Sequence, residues 1–190
     1  MSSTNRSQAR SFHISDYYVT PISAITRFLE NCPEEIFEGK KILDPCAGGD
    51  HCHEMSYPAA IQDYYDGVTV DTADIREDSL ATIKCDYLQM ECKNLYDVII
   101  TNPPFSIAED VIRKAYSDVK DDGWVIMLLR LNYFGSDKRE LFWKEFPPKY
   151  AFVHRKRISF TDDKKTDSIE YMHCLWHKGE SPKFCMLKLI

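Results

Sequence analysis

The chain has 190 residues, 44% of them hydrophobic and 28% charged, with a formal net charge of −6. That length supports one domain with a substantial core and is short for two, and the composition is ordinary for a soluble globular protein. No apolar run approaches the roughly 20 residues of a membrane span, and the polar start MSSTNRSQARSF lacks the apolar stretch of a secretory leader, so residues 1–14 read as a frayed arm.

Seven cysteines without a CxxC pair argue for free thiols in a reducing cytoplasm. The local set Cys46, His51, Cys52, His53 lacks the two-knuckle spacing of structural zinc sites and reads as loop residues, with no metal expected. Charge is unevenly spread. Residues 1–129 hold 11 Lys and Arg against 22 Asp and Glu, whereas residues 130–190 hold 13 against 8. An acidic first part joined to a basic segment hints at a polyanionic partner.

Along the chain, Ile22, Ile25, Phe28 and Leu29 recur at helical spacing over 22–30, with Pro21 suited to the first helical position and Thr20 to the N-cap. Lys40–Leu43 predicts a strand entering Asp44-Pro45-Cys46-Ala47-Gly48-Gly49-Asp50. Glycines there let backbone approach a ligand, while a carboxylate at the strand end suits a cationic ligand better than a phosphate. Pro58 opens a helix over 59–65 that Gly67 stops. The next predicted strand, 68–74, closes on Asp74, 30 positions after Asp44, where such folds place a ribose-binding acid. A short strand at Ile83 follows with Asp86 at its tip.

Tyr96-Asp-Val-Ile-Ile-Thr-Asn-Pro-Pro-Phe105 predicts a buried parallel strand that stops in a stiff turn. Two prolines fix φ and remove two donors while leaving carbonyls free to accept. The turn therefore presents an amide, a rigid carbonyl and an aromatic face within four residues. A helix over 108–119 and a strand over 124–131 complete an alternating β/α pattern. Residues 150–154, 170–177 and 184–189 read as strands in an antiparallel run. The expected fold is α/β: a Rossmann-like, doubly wound, mostly parallel sheet with antiparallel C-terminal strands, in a single domain with its ligand at the carboxyl edge. Residues 15–131 form its core and 132–190 its basic part.

Together these residues resemble the S-adenosylmethionine-dependent amino-methyltransferases acting on adenine, a class I, Rossmann-like family with an Asn-Pro-Pro-aromatic motif. The resemblance spans roughly residues 16–135, and the size and tail resemble compact phage-type DNA adenine methyltransferases. It implies S-adenosyl-L-methionine as cofactor, held by Tyr18, Thr20, Pro21, Asp44, Pro45, Cys46, Ala47, Gly48, Asp74, Ile75, Asp86, Tyr87 and Asn102. It implies catalysis by Asn102, Pro103, Pro104 and Phe105, with Phe105 stacking on a base that has left the duplex. Asp50 departs from the pattern, standing where the family usually has a last glycine.

Implied substrate contacts are Arg130, Asn132, Tyr133, Arg139, Arg155, Lys156 and Arg157, with Lys138, Lys164 and Lys165 adding charge. Packing in the core is an equal alternative for Tyr133. DNA is the expected partner. RNA carries the same chemistry, a protein glutamine amide is reached by a similar turn, and a non-catalytic binding protein is a further alternative.

Overall fold

The computed structural model describes residues 18–160 and 168–190. Eight strands form one sheet in the order β3-β2-β1-β4-β5-β7-β6-β8. They are β1 (Ile42–Asp44), β2 (Val70–Asp74), β3 (Ile83–Lys84), β4 (Val98–Thr101), β5 (Trp124–Arg130), β6 (Tyr150–Val153), β7 (Tyr171–His177) and β8 (Met186–Leu189). Strands β1 to β5 are mutually parallel, with β1 in the middle of the order, so the sheet reverses direction of growth beside β1 and β4. Open α/β sheets bind ligands at such a switch point, outside the carboxyl ends of the strands.

Side-chain alternation along the strands divides the core. Ile99, Val125, Met127 and Leu129 meet α3 (Ala108–Asp118) and α4 (Glu140–Glu145) through Val111, Ile112, Ala115 and Phe142. Val98, Ile100 and Ile126 face α1 (Ile22–Leu29) and α2 (Ser56–Tyr64) through Ile25, Phe28, Ala60 and Ile61. Both faces of the central strands are dry, as their near-continuous apolar sequences require.

Three local expectations are corrected. Helix α1 starts at Ile22 with Pro21 in the N-cap position, and Thr20 makes no capping bond because its hydroxyl is engaged elsewhere. Helix α2 begins two residues before Pro58. The C-terminal strands are not all antiparallel: β7 pairs antiparallel with β5 and β6, whereas β8 runs parallel to β6. The turn after β7 reverses the chain while β7 already occupies the inner edge of β6. The last strand therefore adds to the outer edge of β6, opposite in direction to β7.

One polar chain crosses the α1/α2 side of the core. Tyr57 Oη lies 2.9 Å from His173 Nε2, and His173 Nδ1 lies 2.9 Å from His154 Nε2. Phe28 stacks on His173 at 4.2 Å. Burial holds His154 down to about 4 and His173 well below its ordinary value, so both imidazoles are neutral and pair as hydrogen-bonded core residues.

Candidate active site

The β1–α2 loop is built around two residues with positive φ, Gly48 at 64° and Gly49 at 73°. A Cβ on Gly49 would stand 2.9 Å from Met55 Cγ and 3.1 Å from Leu80 Cβ, so the loop closes only with glycine there. Asp74, at the end of β2, ties the loop down: its Oδ2 accepts from the Gly48 amide at 2.8 Å and its Oδ1 from the Arg76 amide at 2.8 Å. Arg76 donates to the Gly49 carbonyl at 2.8 Å from the same side. Asp50 does the turn's work without glycine, accepting from the Cys52 amide at 2.8 Å and the His53 amide at 3.0 Å.

Asp44 is fully buried beneath this loop. Its Oδ1 accepts from the Thr101 hydroxyl at 2.6 Å and the Cys46 amide at 3.2 Å, while Oδ2 has no hydrogen-bond partner among the described residues. Burial pushes this carboxyl up to about 7 against the pull of those two donors, with the Asp74 charge adding to the rise. Cys46, half-buried beside it, has its thiol pushed far above the ordinary range by the same desolvation. The metal-like grouping in this region is Asp50, His51 and Cys52, without Cys46. It lies toward solvent, and its carboxylate already caps the turn.

Asp86 caps the short 3-10 turn Tyr87–Gln89, its Oδ1 accepting from the Leu88 amide at 3.0 Å. That turn is anchored from behind. Asp118, at the end of α3, accepts from Lys114 at 2.6 Å, from the Cys92 thiol at 3.2 Å and from the Tyr87 hydroxyl at 3.3 Å. The wall carrying Asp86 is thereby fixed to the helix that follows the Asn-Pro-Pro-Phe turn.

At the end of β4, the Asn102 amide is oriented by the segment before α1. Its Nδ2 donates to the Thr20 hydroxyl at 3.1 Å and to the Tyr18 carbonyl at 3.4 Å. A carbonyl can only accept, so this side of the amide must be nitrogen, and the oxygen is turned the other way. That oxygen is buried and has no hydrogen-bond partner among the described residues. An unpaired buried acceptor is costly in a folded protein.

These pieces border one cleft of about 810 Å³ that opens to solvent. Of the residues expected to hold the cofactor, Tyr18, Thr20, Pro45, Cys46, Ala47, Asp74, Ile75, Asp86, Tyr87 and Asn102 line it; Pro21, Asp44 and Gly48 do not. Pro21 points the chain into α1, Asp44 sits below the loop, and Gly48 spends its amide on Asp74. Of the turn itself, Asn102 and Pro104 border the cleft, whereas Pro103 and Phe105 are buried and do not line it. Val19, Gly49, Ser56, Tyr57, Arg76, Leu88, Ile107 and Val111 also line it; Gly49 belongs to the predicted glycine loop, and nothing in the local sequence of the others marked them. They arrive from helix starts and loops whose positions depend on tertiary packing.

The residues expected to touch substrate divide by burial. Arg155 and Lys156 are exposed, and Arg157, also exposed, pairs with Glu170 at 3.2 Å. Asn132 is exposed. Tyr133 is a core residue, donating to the Phe105 carbonyl at 3.2 Å beneath the Arg139 guanidinium, 3.7 Å above its ring. Arg139 is paired with Glu109 at 2.8 Å. Neither Tyr133 nor Arg139 is therefore a free surface group. Lys138 is exposed, and Lys164 and Lys165 lie outside the described residues. No helix among the described residues is long and apolar enough to cross a membrane.

No family model matches the sequence, and no curated protein matches it. Solved structures do share the fold. A Listeria monocytogenes protein provisionally assigned as a class I S-adenosylmethionine-dependent methyltransferase aligns over 95% of this chain and 68% of its own, at 15% identity and TM-score 0.66. A Pyrococcus horikoshii protein provisionally assigned as an RNA methyltransferase aligns over 86% of this chain and 87% of its own, at 16% identity and TM-score 0.64. The type IIG restriction endonuclease BpuSI aligns over 89% of this chain and 26% of its own, at 13% identity and TM-score 0.57. The chain thus has the class I, Rossmann-like methyltransferase fold.

Proposed function

We propose that this chain is an S-adenosylmethionine-dependent methyltransferase acting on the exocyclic N6 amine of adenine in DNA. The observation that carries the reading is the Asn102 amide, on a residue that lines the cleft: its nitrogen is tied back by Thr20 and Tyr18, and its buried oxygen has no hydrogen-bond partner among the described residues. The cleft fits the cofactor by the chemistry of its walls. Asp74 keeps lone pairs for a ribose diol beside the exposed edge of Ile75, Asp86 offers a carboxylate to an adenine amine, and the glycine loop brings backbone close. The bare Oδ2 of Asp44 leaves under the loop a carboxyl whose ionised form a cationic ligand would favour.

When bound, S-adenosylmethionine supplies a methyl group on a sulfonium centre. The protein's task lies with the other reactant, because the adenine amine's lone pair is delocalised into its ring. The Asn102 oxygen and the Pro103 carbonyl accept the two amine hydrogens, favour a tetrahedral nitrogen and turn its lone pair toward the cleft. The gain is alignment and electrostatic preorganisation, and no strong base is required to begin attack on a cationic donor. Thr20 is a positioning residue that holds the amide in place, while the Tyr18 carbonyl, which can only accept, keeps it from flipping.

The polymer is read from the exposed Arg155, Lys156 and Arg157 after β6, suited to phosphate contact, and from the presence of a restriction endonuclease among the proteins that share the fold. The RNA methyltransferase assignment of another such protein keeps RNA as the second reading. The test is Asn102→Ala, with methyl transfer and cofactor affinity measured together. The expected result is a loss of at least about 100-fold in kcat with cofactor Kd within a few-fold. Lost cofactor binding with turnover retained at saturation would remove Asn102 from the reaction.

A further inference from the structure

Arg130 closes β5 next to the Asn-Pro-Pro-Phe turn, and its guanidinium lies over the Phe105 ring, 4.4 Å from the centroid. Its Nε is buried with no hydrogen-bond partner, and the guanidinium is engaged in no ion pair among the described residues. The other cations around this turn differ: Arg139 holds Glu109, and Arg157 holds Glu170. Phe105 is 9% exposed, and its remaining ring neighbours, Tyr18 at 6.1 Å and Tyr171 at 6.0 Å, are tilted rather than stacked. Among the described aromatic and cationic side chains, Arg130 is thus the one that lies over a face of Phe105.

This bears on the base-stacking role that the family resemblance implies for Phe105, and the inference rests on the proposed function. A flat base and a flat guanidinium compete for the same aromatic face. A buried N–H without an acceptor is a disfavoured resting state, and moving outward restores its hydrogen bonding. A nucleotide entering here brings both halves of an exchange, a base for the ring and a phosphate whose oxygens match the guanidinium fork.

We propose that Arg130 is an exchangeable cap on the base platform. It covers Phe105 while no base is bound, and it moves to the incoming nucleotide's phosphate when the base takes its place. The cap selects for a base that carries a phosphate, since a bare nucleoside must displace Arg130 without giving it a new partner.

The experiment measures equilibrium binding of adenosine and of a single-stranded adenine-containing oligodeoxynucleotide to the full chain. S-adenosylhomocysteine is present at saturation, so that adenosine cannot occupy the cofactor cleft. Wild type is compared with Arg130→Ala and with Arg130→Gln, the latter retaining polarity should the smaller side chain unsettle the fold. Both variants are expected to bind adenosine roughly 3- to 30-fold more tightly, the range of a lost cation–π contact, and to bind the oligonucleotide more weakly. Adenosine affinity unchanged or reduced in both variants would overturn the exchange and make Arg130 a fixed contact. Adenosine binding to none of the three would overturn it too. Methyl transfer to adenine by the same wild-type preparation then separates the outcomes: retained, only the cap fails; absent, the proposed function fails with it.

Discussion

Asp44→Asn isolates the most unusual charge in the molecule. The carboxyl lies buried under the β1–α2 loop with one oxygen bare, and its pKa rises from an ordinary 3.8 to about 7. Because the folded value is raised, the native state binds the proton more tightly than the unfolded chain. Stability from this group is complete below the unfolded pKa and is lost as pH rises through the folded one. At 1.36 kcal/mol per unit, the loss is about 4 kcal/mol once both forms are ionised, of which about 3 kcal/mol falls between pH 5 and pH 8. Asparagine at this position does not titrate. The unfolding free energies of the two proteins, taken from urea titrations at both pH values, should therefore shift relative to each other by about 3 kcal/mol in favour of the variant at pH 8. A gap that stays constant within about 0.5 kcal/mol would mean that Asp44 ionises like an exposed carboxylate, and the description of a bare, desolvated oxygen would be wrong. Since a bound cation would favour the ionised form, cofactor affinity in the wild type should also strengthen as pH rises toward 7.

Thr20→Val removes the stronger of the two anchors on the Asn102 nitrogen and leaves the 3.4 Å bond to the Tyr18 carbonyl. A loosened amide should cost about 10- to 100-fold in kcat, the worth of a buried hydrogen bond to a polar group, and Thr20→Ser should restore most of it. A fall in cofactor affinity with kcat unchanged would make Thr20 a cofactor contact instead. Charge reversal at Arg155 and Lys156 should weaken nucleic-acid binding and lower the salt slope by about one to two units, because each phosphate contact releases about one counterion. An unaltered slope would leave these residues as solvated surface.

What the sequence disclosed depended on how local each physical cause was. The parallel strands were legible because burial on both faces leaves uninterrupted runs such as Val98–Ile100 and Val125–Leu129. The turn at 102–105 was legible because two prolines dictate backbone geometry without help from neighbours. Thr20 was misassigned for the opposite reason. Its local context fits an N-cap, but its hydroxyl is claimed by Asn102, 82 residues away. Helix α4 went unseen because six residues give too short a period, and its anchors take their places from residues distant in sequence: Arg113 lies over the Phe142 ring, and Trp176 of β7 stacks on Trp143 at 6.5 Å. The direction of β8 depends on which edge of β6 is vacant, a property of the assembled sheet. Arg130 was legible only as a cation beside the turn; that its guanidinium lies over the Phe105 ring depends on tertiary packing.

The central claim is that the unpaired oxygen of Asn102 receives an adenine amine, and transfer of a labelled methyl group tests it most directly. The protein is incubated with labelled S-adenosylmethionine and, in separate reactions, double-stranded DNA, single-stranded DNA, RNA and protein, and the products are hydrolysed to nucleosides or amino acids. The account predicts label in DNA as N6-methyldeoxyadenosine, and none there with Asn102→Ala. Label on a cytosine, on a ribose or on a protein side chain, or label in deoxyadenosine that persists in the variant, would contradict it.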